Sequence, residues 1–282
     1  MPLALILSSY VAASRIGGAA QQYALAPFKI DPVLVPTVLF GANPAKAGRG
    51  RAVDAELFAQ LLHGVESQGL TGLVDLVITG HFSLPEQVDL ACEAIGRIRT
   101  RDRTGVYNRQ PIVIVDPILG DAPKGLYVKP EVAAALAERL LPMADWITPN
   151  VWELGHLTGR EVADAAEAAE AVRALGKPAL VTSVPAGPEE IGLLCCAPDV
   201  TVLFAHPRRA EAPNGTGDLV TAVFGAGLVE GLAPVDAAER AARAVAETLE
   251  AVAEWRAPDL PLVALGERLV RPTARLRIER LA

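Results

Sequence analysis

Residues Pro213-Asn214-Gly215-Thr216-Gly217-Asp218 run directly into the apolar stretch Leu219–Phe224, and this junction constrains the chain more than any other segment. Apolar residues at 219, 220, 223, 224 and 228 recur at helical spacing and mark one helix face. Two glycines let the backbone turn tightly at the helix start, which leaves the first amides without helical partners. Such an end attracts an anion through its amides and the helix dipole. Asp218 falls in the first turn, where a carboxylate beside a bound anion can take a proton from an incoming hydroxyl. The same residues also suit a simple helix cap, so the rest of the chain has to decide.

The chain of 282 residues is 51% hydrophobic and 21% charged, which suits one large α/β domain. A net charge of −7 argues against nucleic acid or an anionic membrane as partner. Cys92, Cys195 and Cys196 form neither a disulfide framework nor a zinc spacing. They read as small buried residues of a reducing compartment. The apolar start, Leu3–Leu7, lacks a basic leader and is too short to span a bilayer, so the expected location is the cytoplasm.

In chain order the pattern alternates. Strands are expected at 3–8, 33–40 (interrupted by Pro36), 73–79, 111–115, 146–147 and 179–182. Helices are expected at 19–26, 52–68, 85–99, 129–141, 151–157, 163–175 and 235–255. Residues 192–204 read as a hairpin around Ala197-Pro198-Asp199, and the tail after Pro258 has no clear pattern. The small-residue segment 41–50 reads as a flexible flap. Alternation of this kind implies a doubly wound, mainly parallel central sheet with helices on both faces, forming a single domain over 1–282. Ligands then sit beyond the carboxyl ends of the strands, where Ser9, the flap, His81, Asp116, Asn150, Thr182 and Asp218 fall.

Neither GxxxxGK[ST] nor a dinucleotide fingerprint is present, so the anion site has to be the 214–218 loop. Asp116 and Asp121 in Asp116-Pro-Ile-Leu-Gly-Asp121, and Glu153 in Thr148-Pro-Asn-Val-Trp-Glu153, are candidate magnesium ligands. Each also has a structural reading. Asp116-Pro117 suits a turn, and Asn150 with Glu153 suits a capping box. Taken with the 214–218 loop, the chemical reading prevails.

These three segments, with Leu157-Thr-Gly159 and Val181-Thr-Ser183, resemble the ribokinase-like superfamily, and within it the pyridoxal kinases. Ser9-Tyr-Val11 with Gly17, and Pro36-Thr-Val-Leu-Phe40 before the flap, are similar to that subfamily's N-terminal segments. The resemblance implies phosphorylation of the 5′-hydroxyl of pyridoxal, pyridoxine or pyridoxamine, with ATP as co-substrate and Mg2+ as cofactor. It assigns Asp218 as base and the amides of Gly215, Thr216 and Gly217 as anion hole. Asp116, Asn150, Glu153, Thr182, Ser183 and Asn214 fall on the ATP side, with Asp116 and Glu153 at the metal, partly through water. Ser9, Asn43, Pro44, Ala45, His81 and Asp218 fall on the acceptor side. A homodimer follows from the same resemblance.

The departures gather on the acceptor side. The family has a Gln-Phe-Ser-Asn-His-Thr-like run where this chain has Leu39–Pro44, a tyrosine in place of His81, and often a histidine in place of Tyr10. A hydroxymethylpyrimidine or small-sugar kinase of the same fold, and a non-catalytic binder of pyridoxal 5′-phosphate, are therefore the rival readings. His63, His156 and His206 read as structural or solvent-facing, and Trp146, Trp152 and Trp255 as packing residues. Lys46, Arg49, Arg51 and the Arg208-Arg209 pair are further candidates to reach phosphate, with Glu211 beside them.

Overall fold

The structure is a computed structural model that describes residues 1–45, 49–107, 109–209 and 212–281. Its strands are β1 (Leu3–Val11), β2 (Asp31–Phe40), β3 (Gly50–Ala52), β4 (Val74–Thr79), β5 (Ile112–Val115), β6 (Gly120–Asp121), β7 (Gly125–Leu126), β8 (Trp146–Ile147), β9 (Ala179–Pro185), β10 (Glu190–Ala197), β11 (Val200–Pro207) and β12 (Arg277–Leu281). The helices are α1 (Gly18–Leu25), α2 (Ala55–Ser67), α3 (Pro85–Thr100), α4 (Pro130–Ala135), α5 (Val151–Thr158), α6 (Ala165–Leu175), α7 (Thr216–Glu230), α8 (Pro234–Trp255) and α9 (Leu262–Leu265).

Among the described residues, ten strands form one sheet in the order β12-β11-β10-β9-β8-β5-β4-β1-β2-β3. The six from β9 to β2 run parallel, while β10, β11 and β12 close one edge antiparallel and β3 closes the other. Central parallel strands must be apolar on both faces. β4 has all six residues buried, and its one charged side chain, Asp75, is paired with Arg103 at 2.6 Å. Two apolar clusters result, one on each side of the sheet. One contains Phe58, Ile95, Leu154 and Val172 from α2, α3, α5 and α6, and the other Phe224, Ala241 and Leu262 from α7, α8 and α9. The doubly wound architecture expected from the alternation is the one observed.

Three elements differ from expectation. Pro36 does not interrupt β2. The register with β1 slips by one residue between Ser8/Pro36 and Tyr10/Leu39, and β3 covers only Val38–Phe40. The proline therefore sits at an irregularity near the sheet edge, where a missing amide costs little. α7 is buried all round, from Asp218 through Val229, rather than on a single face. It is enclosed by α1, α8 and the sheet strands β4 and β5. The patternless tail supplies β12, which pairs with β11 from Thr201↔Leu281 to Ala205↔Arg277. As an exposed edge strand it carries charge where a buried strand would carry alternation.

Candidate active site

A cleft of about 850 Å3 lies beyond the carboxyl ends of the parallel strands. This is where a doubly wound sheet puts its ligand. Ser9, Pro44, Ala45, His81, Asp116, Asn150, Glu153, Thr182, Ser183 and the whole of 214–218 line it.

At its centre Gly215 precedes α7 with φ of +98°, a left-handed conformation that glycine adopts without strain. A Cβ there would come within 2.2 Å of the Arg15 carbonyl oxygen. The first helical bond runs from Leu219 N to Gly215 O at 3.0 Å, so the preceding amides have no helical acceptor. Asp218 is buried one turn in. Its carboxylate accepts from Gly17 N at 2.8 Å and from Gln21 Nε2 at 3.4 Å. Gly17 also has positive φ, and a Cβ on it would lie 2.1 Å from Ser9 Oγ. The turn before α1 is thus fitted to both Ser9 and Asp218. Burial pushes the Asp218 carboxyl up to about 6, against the downward pull of its backbone hydrogen bonds to Gly17 and to its own amide.

Asp116 follows β5 and is buried. It accepts from Thr221 Oγ1 at 3.3 Å, and Thr221 in turn lies 2.8 Å from Thr148 Oγ1. Burial raises its pKa, and the negative charges of Glu153 and Asp218 raise it further. Glu153 closes the capping box of α5. Its Oε2 accepts from Asn150 N at 2.8 Å, and its Oε1 accepts from Leu119 N and Gly120 N at 2.9 and 3.4 Å. Burial lifts its carboxyl to about 8 despite these three donors. Asn150 is equally engaged, accepting from Glu153 N and donating to Gly120 O, each at 2.9 Å. The structural and chemical readings of this pair therefore coexist: the capping box folds α5 and also holds the turn after β5 over the cleft.

No group of three or more His, Cys, Asp or Glu side chains poised to hold a metal occurs among the described residues. Asp116, Glu153 and Asp218 nevertheless gather three buried carboxyl groups at one end of the cleft, whose raised pKa values a bound cation would lower. That arrangement fits a cation arriving with its own anionic ligand, needing few protein atoms.

Elsewhere in the cleft, His81 Nε2 lies 3.2 Å from Ser83 Oγ, and burial lowers the ring's pKa to about 4, so it is neutral. Asn43 Oδ1 accepts from Ala45 N at 2.9 Å and from Asn214 Nδ2 at 3.3 Å, joining the flap to the anion loop. Thr182 pairs with Asn150 across an isolated parallel bridge, and Ser183 beside it adopts φ of +60°. Arg208 and Arg209 line the cleft, whereas Arg49 and Arg51 are exposed and outside its lining. Lys46, the flap centre 46–48 and Glu211 lie outside the described residues.

The histidine and tryptophan readings hold in part. Trp146 meets Phe224 edge-on at 5.0 Å, and Trp152 stacks on His156 at 5.3 Å. Trp255 is 43% exposed with Arg268 over its ring, so it is not a core residue. His206 is not solvent-facing; it is buried and lines the cleft. Sequence reasoning also missed Lys124 and Tyr127, which reach the cleft from the β6–β7 hairpin. Turn residues Gly120 and Gly125 were the only signal for that hairpin.

Strand-end carboxylates, open amides at a buried helix start and a carboxylate beside them define the chain as a kinase with the ribokinase-like fold. The chain belongs to the phosphomethylpyrimidine kinase family, whose model matches residues 98–261, and its relatives there are pyridoxal kinases. It is 31% identical to pyridoxal kinase PdxY of Rubrobacter xylanophilus, over 99% of this chain and 97% of that one. It is 33% identical to the pyridoxine/pyridoxal/pyridoxamine kinase of Bordetella avium, over 86% of this chain and 83% of that one. Among solved structures, pyridoxal kinase from Entamoeba histolytica superposes with a TM-score of 0.86 at 25% identity, all of both chains being covered. Pyridoxal kinase from Leishmania donovani, in complex with ADP and pyridoxamine, shares the fold with a TM-score of 0.89 at 24% identity, again over all of both chains.

Proposed function

We propose that this chain transfers the γ-phosphoryl group of ATP to the 5′-hydroxyl of pyridoxal, and of pyridoxine and pyridoxamine. The observation that carries the reading is Asp218, buried one turn inside α7 beside amides that have no helical acceptor. A phosphoryl transfer leaves the protein little covalent work, so positioning, charge stabilisation and a base suffice. Asp218 takes the hydroxyl proton, and Gly17 N and Gln21 hold its carboxylate in place. The amides of Gly215, Thr216 and Gly217 receive the charge that develops on the transferred group. Magnesium would neutralise the phosphates. Asp116 would hold it directly and Glu153 through water, because backbone amides already occupy both Glu153 oxygens.

Asn150, Thr182, Ser183 and Asn214 face the nucleotide phosphates in this reading. Ser9, Asn43, Pro44, Ala45 and the neutral ring of His81 surround the vitamer. The whole of 1–282 acts as one kinase domain, with 41–50 as its flap, as a cytoplasmic homodimer. No helix among the described residues is long and apolar enough to cross a membrane.

The test is ADP release with Mg-ATP and a panel of pyridoxal, pyridoxine, pyridoxamine, hydroxymethylpyrimidine and ribose. Turnover with the three vitamers is expected. Turnover with hydroxymethylpyrimidine or ribose alone would move the assignment to a sister kinase, and no ADP with any acceptor would leave a binding protein.

A further inference from the structure

Past the anion loop the cleft continues beneath the antiparallel edge of the sheet, where its walls become apolar. Val220 of α7, Val245 and Leu249 of α8, and Ile191 and Leu193 of β10 form them. Arg208 and Arg209 line the cleft here from exposed positions, and the buried polar side chain beside these walls is His206. His206 lies near the end of β11 and is 4% exposed. It alternates in register with Val202 and Phe204, which pack in the same cluster as α7 and α8. Its ring therefore faces those helices.

The orientation of the ring is fixed. Nδ1 lies 3.0 Å from the Pro207 carbonyl oxygen. A carbonyl can only accept, so Nδ1 carries the hydrogen and the neutral ring presents a lone pair at Nε2. Burial keeps the ring neutral by lowering its pKa, and the charge of Arg209 works in the same direction. The Pro207 carbonyl, Glu250 and Glu190 oppose that shift without reversing it. With Nδ1 tied to the backbone, the Nε2 edge is left for the cleft.

We propose that His206 is a specificity-determining residue for the nucleotide: its Nε2 accepts a hydrogen bond from the 6-amino group of a purine held between these apolar walls, selecting 6-aminopurine over 6-oxopurine nucleotides. A 6-oxo group would set an acceptor against the imidazole lone pair and leave both desolvated atoms unpaired, which is where discrimination by a polar pocket is strongest. The inference rests on the nucleotide half of the proposed function and deepens it.

The test is direct titration of the full chain with ADP, IDP and purine riboside 5′-diphosphate, the last lacking the 6-amino group. Wild type should bind ADP about tenfold more tightly than the des-amino analogue, and IDP more weakly still. His206→Leu should lose about tenfold for ADP and nothing for the des-amino analogue. His206→Gln, which keeps an acceptor, should recover part of the loss. Equal affinity of wild type for ADP and the des-amino analogue would overturn the proposal, as would equal losses for both ligands in His206→Leu. The wild-type comparison stands even if the leucine variant fails to fold. Because binding needs neither acceptor nor turnover, failure here is distinct from failure of the kinase reading, which would show as no ADP release with any acceptor.

Discussion

In the proposed reaction the Asp218 carboxylate has to remain basic while cut off from water. Burial raises its pKa, and two hydrogen bonds, from Gly17 N and Gln21 Nε2, hold it in position. A general base is most effective when its pKa lies close to the working pH, and a value raised to about 6 meets that condition. The base must be deprotonated to act, so kcat/KM for the vitamer should be flat above about pH 6 and fall tenfold per unit below it. A profile still flat at pH 5 would remove Asp218 from that role. Asp218→Asn keeps the shape and loses the proton acceptor. Steady-state kinetics should show kcat down by roughly 10²–10⁴-fold, while calorimetry should show ADP affinity little changed. Gly17→Ala should act on the same carboxylate indirectly. The added Cβ collides with Ser9 Oγ, so kcat should fall although the alanine touches no phosphate.

At the scale of elements, α5 and the turn after β5 are tied together by one side chain. Glu153 accepts from three backbone amides belonging to two segments. Removing it leaves buried donors without partners, each costing about 1–3 kcal/mol. Glu153→Ala should lower stability by about 3 kcal/mol in urea titration and speed hydrogen exchange at Leu119, Gly120 and Asn150. Stability and exchange equal to wild type, with only the magnesium dependence altered, would show that the carboxylate serves the metal alone. This element also marks how far the sequence could be read. Asn150 and Glu153 were visible as a capping box because cap chemistry is local, and Asp116 and Asp218 were visible because strand ends and helix starts leave punctuation. The β6–β7 hairpin, with Lys124 and Tyr127, was not legible. Its strands are two residues each, too short to show a period, and they are held from outside by Glu153 and Asn150. β12 escaped for a related reason: an edge strand with four exposed residues carries no alternation, and only its pairing with β11 defines it. His206 reads from sequence as either structural or solvent-facing because nothing near it in the chain shows that α8 would cover it.

For the molecule as a whole, the site is a stability debt concentrated in one place. The folded-state pKa of Asp218 lies above its ordinary value of 3.8, at about 6. The folded protein therefore binds the proton more tightly than the unfolded chain does. This penalty is absent below about pH 4, grows as pH rises through that window, and is complete above about pH 6. A rise of this size corresponds to about 3 kcal/mol at neutral pH. Asp218→Asn cannot ionise and escapes the penalty. Its amide still offers an oxygen to Gly17 N, although its new N–H groups need partners in place of water. Chemical denaturation across pH should thus give curves that coincide near pH 4 and diverge upward for the variant, reaching a gain of about 1–3 kcal/mol by pH 8. The inactive protein would be the more stable one, as expected where a catalytic group is kept in a site that folding alone would not choose. A variant less stable than wild type at pH 8, or a difference independent of pH, would mean that Asp218 is held by its hydrogen bonds more strongly than it is penalised by burial. Its elevated pKa could then no longer account for a base poised at neutral pH.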